Sequence, residues 1–233
     1  MKKNNITNLA IIPARGGSKR LKNKNLQLLG GKPLLAHTIE AAIGSKYISN
    51  IIVSSDSDEI LEISKKYEVN IHKRPKDLSS DTATALELVK YLFQKSNSNF
   101  DFITLMLPTC PFRNSLHVDE GMQEIEEDDD GVISVTSYNF PVELSVPISG
   151  KYIKLEENSP LITGNTRSQN HKPTYRPNGG YYISRWDSFK KYQNFWKGKV
   201  KFYEMSIEDS VDVDTRLDLD FAENIIRNRG DKN

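Results

Sequence analysis

The sequence predicts an α/β fold in which a mainly parallel central sheet is flanked by helices. Short runs of apolar and β-branched residues alternate along the chain with amphipathic segments of helical periodicity. Several of these runs are apolar on both faces, as buried parallel strands are. The chain has 233 residues, of which 37% are hydrophobic and 27% charged, so one large domain with a real core can form.

Strands and helices are predicted in alternation. The predicted strands are residues 9–12, 51–53, 69–71, 102–107 and 132–135, followed by extended segments at 181–183 and 200–205. The predicted helices are residues 34–43, 60–67, 82–94 and 115–126. A last helix is predicted from Leu217, Phe221 and Ile225, which recur on one face of a C-terminal segment. The second helix is predicted to open at Asp56 or Ser57, and Asp56 with Glu59 resembles a capping box in front of it.

The alternation stops in residues 140–176. This stretch is polar and irregular, and it is broken by Pro141, Pro147, Pro160 and Pro173. We therefore predict one domain over residues 1–233, with an excursion from the sheet at residues 140–176.

Charge and composition exclude several classes of function. Lys and Arg number 32 against 31 Asp and Glu, a net charge of +1, so no basic field is available for nucleic acid or an anionic membrane. No apolar run approaches the roughly 20 residues that span a bilayer, and the polar N-terminus lacks the apolar part of a signal peptide. The single cysteine, Cys110, excludes an internal disulfide and a multi-cysteine zinc site. These features predict a cytoplasmic protein with neither nucleic acid nor membrane as partner.

The loop after the first predicted strand concentrates positive charge, because residues 13–25 contain five basic residues and no acidic one. Two adjacent glycines let backbone N–H groups approach a ligand, and Arg and Lys side chains bind phosphate oxygens. A solvated basic loop is the alternative. The position at the carboxyl end of a strand favours a triphosphate site, because open α/β sheets bind ligands there. The residues predicted to bind it are Ala14, Arg15, Gly16, Gly17, Ser18, Lys24 and Asn25.

Two aspartates towards the C-terminus form a candidate metal site. Asp212 and Asp214 flank Val213, and in an extended segment this spacing places both carboxylates on one face. Paired carboxylates suit Mg²⁺, or another divalent cation such as Mn²⁺, which also takes phosphate oxygens and water as ligands. The alternative is that Asp214 and Thr215 cap the last helix.

Several separated segments together resemble the acylneuraminate cytidylyltransferases, also called CMP-sialic acid synthetases. They stand in the family's order at residues 10–19, 22–26, 31–39, 52–56, 74–75, 80–83, 108–113, 175–179 and 210–215. The resemblance implies a Rossmann-like nucleotidyltransferase fold, with CTP and an acidic nonulosonate sugar, such as sialic or legionaminic acid, as substrates. It implies that the anomeric hydroxyl attacks the α-phosphorus of CTP and that pyrophosphate leaves. It also implies a homodimer in which residues 140–176 reach the partner's sugar site.

The resemblance assigns roles to single residues. Arg15, Lys24 and Asp214 are implied to be catalytic, and Asp212 with Asp214 to bind the metal. The residues implied to line the cytosine and ribose side are Arg74, Asp81, Ala83 and Ala85. The two alanines equally fit a role in helix packing.

The sugar side is implied by a further group of residues. Arg167 and Arg176 fall where the family has arginines that bind the sugar carboxylate and phosphate, and a bidentate guanidinium suits either anion. Arg176 with the following Pro, Asn and Gly also fits a simple turn. The remaining sugar candidates are Leu107, which replaces a glutamine common in the family, Asn178 and Tyr182.

Two other functions stay open. One is a cytidylyltransferase for 3-deoxy-manno-octulosonate or its amino derivative. The other is a non-catalytic nucleotide-sugar-binding module, which the presence of Lys24 and of the acidic pair disfavours.

Overall fold

The computed structural model describes residues 6–96 and 98–230. Its strands are β1 (Asn8–Pro13), β2 (Leu28–Leu29), β3 (Lys32–Pro33), β4 (Asn50–Ser55), β5 (Asn70–Lys73), β6 (Phe102–Leu105), β7 (Gly131–Ser137), β8 (Ile148–Ser149), β9 (Tyr152–Ile153), β10 (Tyr175–Arg185) and β11 (Val200–Glu204). Its helices are α1 (Leu34–Gly44), α2 (Asp58–Lys65), α3 (Ala85–Lys95), α4 (Ser115–Gln123), α5 (Pro160–Thr163), α6 (Trp186–Tyr192) and α7 (Arg216–Gly230).

Within the described part of the chain, seven strands form the central sheet in the order β11-β7-β10-β6-β1-β4-β5. β1 lies parallel to both β4 and β6, β4 is parallel to β5, and β7 is parallel to β11. β10 runs antiparallel to β6 and β7. The predicted mainly parallel sheet is confirmed. Its topology brings the carboxyl ends of β1, β4 and β6 to one edge, where the loops that follow them lie close together.

The side chains of β1 alternate between the two faces of the sheet. Ala10 and Ile12 are fully buried in a cluster that includes apolar residues of α1 and α4. Leu9 and Ile11 belong to a second cluster on the opposite face, with apolar residues of α3 and α6. Burying one such Leu or Ile side chain contributes about 1.5–3 kcal/mol to folding. Helices therefore cover both faces of the sheet, and the rigid sheet fixes the ends of its strands.

The last helix buries a different face from the predicted one. Leu217 and Phe221 are 77% and 56% exposed, while Leu219, Ala222 and Ile225 are buried. The buried residues pack on the β2–β3 hairpin and the start of α1. The predicted helix is present, but of the three residues that mark its apolar face only Ile225 is buried. This helix carries two apolar stripes, and periodicity alone does not tell which stripe faces the protein.

The predicted capping box before α2 is also wrong. The hydroxyl of Ser57 caps this helix by accepting a hydrogen bond from the Ile60 N–H at 3.5 Å. The carboxylate of Asp56 instead accepts a hydrogen bond from the backbone N–H of Gly16 at 2.8 Å. Asp56 therefore holds the basic loop in place and does not cap α2.

The third helix begins later than predicted. Thr84 and Glu87 form a capping box in which each side chain accepts a hydrogen bond from the other residue's backbone N–H. The helix therefore starts at Ala85, and residues 82–84 stay outside it. As a result, Ala83 lies in a loop at the edge of the sheet.

The excursion leaves the sheet after Ser137 and returns at Tyr175, slightly earlier than the predicted 140–176, because β10 is longer than expected. It contains the β8–β9 hairpin and the short helix α5. Helix α6, which follows β10 directly, was not predicted, although its Trp186 and Phe189 are buried. Among the residues that the structure describes, no helix is sufficiently long and apolar to cross a membrane.

Candidate active site

A cleft of about 500 Å³ opens at the edge of the sheet where β1 and β6 end. Most of the predicted nucleotide-binding residues line it. The predicted site residues along its wall are Arg15, Ser18, Lys24, Asn25, Arg74, Asp81, Ala83, Ala85, Leu107 and Asp214. The cleft is also lined by Lys19, Arg20 and Thr109, which sequence reasoning did not single out.

Hydrogen bonds to its backbone fix the basic loop at the mouth of β1. Asn25 is 5% exposed, and its amide Nδ2 donates a hydrogen bond to the Arg15 carbonyl at 2.8 Å. The Gly16 N–H donates to Asp56 Oδ1, also at 2.8 Å. A Cβ on Gly16 would lie 2.9 Å from the Cβ of Ser57, so the loop passes too close to the α2 cap for a side chain. Glycine is required here by close approach.

Asp81 pairs with two cations of this loop. One of its oxygens lies 2.5 Å from Lys19 Nζ, and the other lies 3.4 Å from Arg15 Nη1. Its pKa is lowered below the usual value, mainly by the hydrogen bond from Lys19. Asp81 was predicted to contact the nucleoside. The structure places its carboxylate against Lys19 and Arg15 of the basic loop.

A second carboxylate pairs with the other two cations of the cleft. Lys24 Nζ lies 2.5 Å from Asp214 Oδ1, and Arg20 Nη2 lies 2.6 Å from Asp214 Oδ2. The side chain of Lys24 is 16% exposed and that of Arg20 is 69% exposed. Because Lys24 and Asp214 are distant in sequence, only the fold brings the basic loop to this carboxylate.

The structure separates the two explanations for Asp214. Thr215 caps α7, because its hydroxyl accepts a hydrogen bond from the Asp218 N–H at 3.3 Å. Asp218 Oδ2 in turn accepts from the N–H groups of Thr215 at 2.7 Å and of Asp214 at 3.1 Å. The helix start is therefore satisfied by Thr215 and Asp218, and the Asp214 side chain is directed to the cleft.

Asp212 and Asp214 fit a divalent cation. Between them, Val213 is fully buried, and its N–H donates to the Thr109 carbonyl at 2.8 Å. The pKa of Asp212 is raised, chiefly by crowding that removes water from its carboxylate and further by the charge of Asp214. A cation between two neighbouring carboxylates would offset the repulsion between their negative charges.

The protein alone offers a sparse ligand set. Among residues 6–96 and 98–230, no group of three or more His, Cys, Asp or Glu side chains is arranged to hold a metal ion. Two carboxylates, with substrate phosphates and water completing the shell, is the arrangement that Mg²⁺ commonly takes.

The side of the cleft that is predicted to bind the nucleoside holds a buried arginine. Arg74 is 8% exposed, and its Nη2 donates to the Ser54 carbonyl at 2.7 Å. Burial lowers the pKa of its guanidinium to about 10. Ala83 and Ala85 line the same wall, where their small side chains leave the surface open. Ala14 does not reach the cleft: it is fully buried, with its N–H bound to the Ser54 carbonyl.

The predicted sugar residues divide into three groups. Leu107 lines the cleft. Arg176 and Tyr182 interact with Asp212 through its charge. The charge of Arg176 opposes the rise in the pKa of Asp212, and burial first, then the charge of Asp212, raises the pKa of Tyr182. Two residues stand apart: Arg167 is exposed in the excursion, and Asn178 is buried.

The amide of Asn178 is used inside the protein. Its Oδ1 accepts hydrogen bonds from Ser134 Oγ at 2.7 Å and from the Gly180 N–H at 3.0 Å, while Nδ2 donates to Ser210 Oγ at 2.8 Å. These contacts tie β7 and β10 to the segment before Asp212. In this arrangement Asn178 supports the site from beneath, and its amide does not face a sugar.

Two residues of the 108–113 segment lie under the cleft. Arg113 is 1% exposed and donates hydrogen bonds to the Gly180 carbonyl, the Thr38 hydroxyl and the Leu107 carbonyl. Cys110 is fully buried, and burial raises the pKa of its thiol to about 11. A thiol with this pKa stays protonated at neutral pH, which agrees with a packing role rather than a nucleophilic one.

Residues 9–228 match the family described as Cytidylyltransferase. An N-acylneuraminate cytidylyltransferase from Escherichia coli is 34% identical over 220 residues, covering 92% of this chain and 51% of the relative. A CMP-N,N'-diacetyllegionaminic acid synthase from Legionella pneumophila is 33% identical, covering 94% of this chain and 95% of the relative. The chain thus spans about half the length of the N-acylneuraminate cytidylyltransferases from E. coli and Streptococcus agalactiae that it matches, and nearly all of the Legionella protein.

Solved structures show the same fold. A CMP:2-keto-3-deoxy-manno-octonic acid synthetase complexed with CTP superimposes with a TM-score of 0.70 at 16% identity, covering 96% of this chain and 99% of that one. A 4-diphosphocytidyl-2C-methyl-D-erythritol synthase from Anaerococcus prevotii gives a TM-score of 0.65 at 16% identity, covering 95% and 96%. With the family match and the relatives above 30% identity, the chain belongs to the cytidylyltransferase family, and within it to the acylneuraminate cytidylyltransferases and CMP-nonulosonate synthetases.

Proposed function

We propose that this protein transfers the CMP group of CTP to the anomeric hydroxyl of an acidic nine-carbon sugar and releases pyrophosphate. The observation that carries the proposal is the pairing of the basic loop after β1 with Asp214. It places Lys24 and Arg20 against Asp214 on the wall of a cleft that Arg15 and Lys19 also line. A triphosphate and a metal ion are the ligands that match this separated charge.

In the proposed reaction, a lone pair of the anomeric oxygen forms a bond to the α-phosphorus of CTP. The bond from that phosphorus to the oxygen bridging the α- and β-phosphates breaks, and this oxygen leaves with the electron pair as part of pyrophosphate. The hydroxyl proton is lost. Negative charge therefore builds up on the leaving group, and catalysis consists mainly of alignment and charge neutralisation.

The residues of the cleft fit these tasks. Arg15 and Lys24 are positioned to bind phosphate oxygens and to stabilise the charge that grows on pyrophosphate. Asp212 and Asp214 would hold Mg²⁺ or Mn²⁺, which supplies further neutralisation of the phosphates when it is bound. Arg74, Ala83 and Ala85 form the wall that we assign to the cytidine. The backbone N–H groups of Gly17 and Ser18 are assigned to the phosphates, while the Gly16 N–H stays bound to Asp56 and supports the loop.

The sugar is assigned to the side of the acidic pair that carries Leu107, Arg176 and Tyr182. A guanidinium next to Asp212 can bind the sugar carboxylate by two hydrogen bonds. The named relatives act on N-acylneuraminic, legionaminic and pseudaminic acids, which supports this class of acidic sugar. Leu107 offers no polar group, so the part of the sugar facing it must be satisfied elsewhere.

We also propose a homodimer in which the excursion reaches the partner's sugar site with Arg167. The excursion exposes large apolar side chains, with exposures from 56% to 79% for Phe140, Ile148, Tyr152, Ile153 and Ile162. Exposed apolar groups of this kind are typical of interaction surfaces. Sedimentation that detects only an active monomer would overturn this part of the proposal. The cytoplasmic location stays a prediction, which cell fractionation tests.

Pyrophosphate release with a panel of substrates tests the activity. CTP, UTP, ATP and GTP are each combined with N-acetylneuraminic, legionaminic and pseudaminic acids and with 3-deoxy-manno-octulosonate. We expect release with CTP and at least one nine-carbon sugar. Preference for 3-deoxy-manno-octulosonate would transfer the assignment to that sugar, and CTP binding without release on any sugar would indicate a binding module.

A further inference from the structure

Both carboxylate oxygens of Asp214 are occupied by side chains of the basic loop. Lys24 binds Oδ1 and Arg20 binds Oδ2, at 2.5 and 2.6 Å. A carboxylate used in this way has no oxygen left for a cation unless one partner moves. The two partners differ in how easily they can do so.

The Lys24 side chain is much less exposed to solvent than the Arg20 side chain. The Lys24 side chain is 16% exposed, whereas the Arg20 side chain is 69% exposed at the mouth of the cleft. An exposed ion pair contributes little to stability, because water and salt screen it. Arg20 is therefore the partner that leaves first, and its long side chain keeps the guanidinium within the cleft wall, where it lies in this structure.

We propose that Arg20 is a phosphate-positioning residue that exchanges partners: a divalent cation displaces it from Asp214, and its guanidinium then binds the terminal phosphates of CTP. This inference rests on the proposed use of CTP. In the free protein, Arg20 competes with the metal for Asp214. In the complex, it adds a charge-assisted contact to the part of CTP that becomes pyrophosphate.

The exchange couples the two ligands thermodynamically. If a metal ion took the place of Arg20 at Asp214, the freed guanidinium would become available to the triphosphate. A triphosphate that binds Arg20 would in turn leave Asp214 free for the metal. Each ligand thus strengthens the other by the same factor. Removal of Arg20 should therefore raise the affinity for the metal and lower the affinity for CTP. Loss of an ordinary surface charge would not have these opposite effects.

The test measures Mn²⁺ and CTP binding to the whole chain without sugar, so that no turnover occurs. Mn²⁺ affinity is measured by electron paramagnetic resonance for the wild-type protein, Arg20→Ala and Lys22→Ala. CTP affinity is measured by calorimetry in EDTA and at saturating Mn²⁺. Lys22→Ala is the matched control, because it removes one positive charge from an exposed position in the same loop. Lys22 makes no ion pair with Asp214.

We expect Arg20→Ala to bind Mn²⁺ about two- to fivefold more tightly, since an exposed competing pair is lost. At saturating Mn²⁺, Arg20→Ala should bind CTP about tenfold more weakly than the wild-type protein, because it lacks a charge-assisted hydrogen bond to the phosphates. The loss should be smaller in EDTA, because without metal the wild-type Arg20 stays on Asp214 and does not make this bond either. Arg20→Lys should restore part of the CTP affinity, and Lys22→Ala should change neither affinity by more than about twofold.

Unchanged Mn²⁺ affinity in Arg20→Ala, or an equal loss of CTP affinity with and without metal, would overturn the exchange. These outcomes are separate from failure of the proposed function. Mn²⁺ binding requires no nucleotide or sugar, and the activity of the wild-type protein is decided by its own pyrophosphate assay.

Discussion

The ammonium nitrogen of Lys24 lies 2.5 Å from Asp214 Oδ1, although 190 residues separate the two in sequence. The contact joins the loop after β1 to the segment before α7 and closes one side of the cleft. It places the cation that we assign to phosphate in direct contact with the carboxylate that we assign to the metal. The next predictions follow from this arrangement and from the contacts that hold the loop.

Replacing Asp214 by Asn should abolish activity while the fold remains. The variant keeps the size of the side chain but loses the negative charge that we assign to the metal. Pyrophosphate release should fall by at least about 100-fold, as expected when charge stabilisation of the transition state is removed. Chemical unfolding should differ from the wild-type protein by about 1 kcal/mol or less, because the carboxylate is partly exposed.

Asp220→Asn is the control for this prediction. Asp220 is an exposed acid of α7 that pairs with Arg216 outside the cleft. Its replacement removes the same charge from a nearby helix and should leave activity unchanged. Near-normal pyrophosphate release by Asp214→Asn would contradict the role of Asp214.

Asp56 should affect CTP binding through the loop that it holds. Asp56→Ala leaves the Gly16 N–H without its acceptor, so the loop loses its fixed position. We expect the KM for CTP to rise about tenfold with a much smaller change in kcat, because a lost hydrogen bond to a charged group costs about 1.5–3 kcal/mol. Asp56→Asn keeps an acceptor oxygen and should recover most of the affinity.

Steady-state kinetics distinguish this positioning role from a general loss of stability. Asp58→Ala removes a neighbouring acid that pairs with Lys73 at the surface, and it should behave like the wild-type protein. If the Asn and Ala variants of Asp56 are equally impaired, the hydrogen bond to Gly16 is not the reason.

The two adjacent glycines of the loop should respond differently to alanine. In Gly16→Ala the new Cβ would lie 2.9 Å from Ser57 Cβ, whereas a Cβ on Gly17 meets nothing within 4 Å. Gly16→Ala should lower the free energy of unfolding by about 1–3 kcal/mol through overpacking. Gly17→Ala should leave it unchanged or raise it by up to about 1 kcal/mol by restricting the unfolded chain. Urea unfolding measures both, and equal effects would refute the close approach at Gly16.

The fold was predictable because its signals are local. The strands β1, β4, β6 and β7 coincide with apolar runs, and the basic loop follows the first of them directly. What periodicity could not resolve was the choice between equivalent local patterns. Asp56 fits a capping box in sequence, yet Ser57 performs that role and leaves Asp56 to Gly16. Leu217 and Phe221 form an apolar stripe as regular as the one that is buried.

The sequence predicted which residues line the site better than it predicted which of them contact one another. The resemblance located Lys24, Asp81 and Asp214, but their ion pairs join residues that are distant in sequence and exist only in the folded chain. Arg20 became a candidate only when its guanidinium was found on Asp214. Asn178 is the reverse case: it belongs to a recognisable motif and was predicted to bind the sugar, but its amide makes hydrogen bonds inside the protein.

Stability should fall as the pH drops below neutrality, in part because of His37. Burial, more than any other cause, lowers the pKa of this imidazole below its ordinary 6.5, and its Nε2 donates to the Leu29 carbonyl. As the pH falls below about 6.5, the unfolded chain takes up the proton first, so unfolding becomes more favourable until the folded form is protonated as well. The stabilising neutral form is fully present above that pH.

Urea unfolding at about pH 7.5 and about pH 5.5 checks this sign. The wild-type midpoint should be lower at the acidic pH. In His37→Gln, whose amide can still donate to the Leu29 carbonyl, the drop between the two pH values should be smaller. A drop of the same size in the variant would show that His37 does not contribute.

The transfer of the CMP group is tested most directly by following the α-phosphate of CTP. The protein is incubated with a divalent cation, a nonulosonate that supports pyrophosphate release, and CTP labelled at the α-phosphorus. Chromatography and mass spectrometry then identify the labelled product. We expect the label to appear in a CMP-sugar, with one pyrophosphate formed for each CMP-sugar. We expect this product to be lost in Asp214→Asn. Label recovered only in CTP, CDP or free CMP would contradict it.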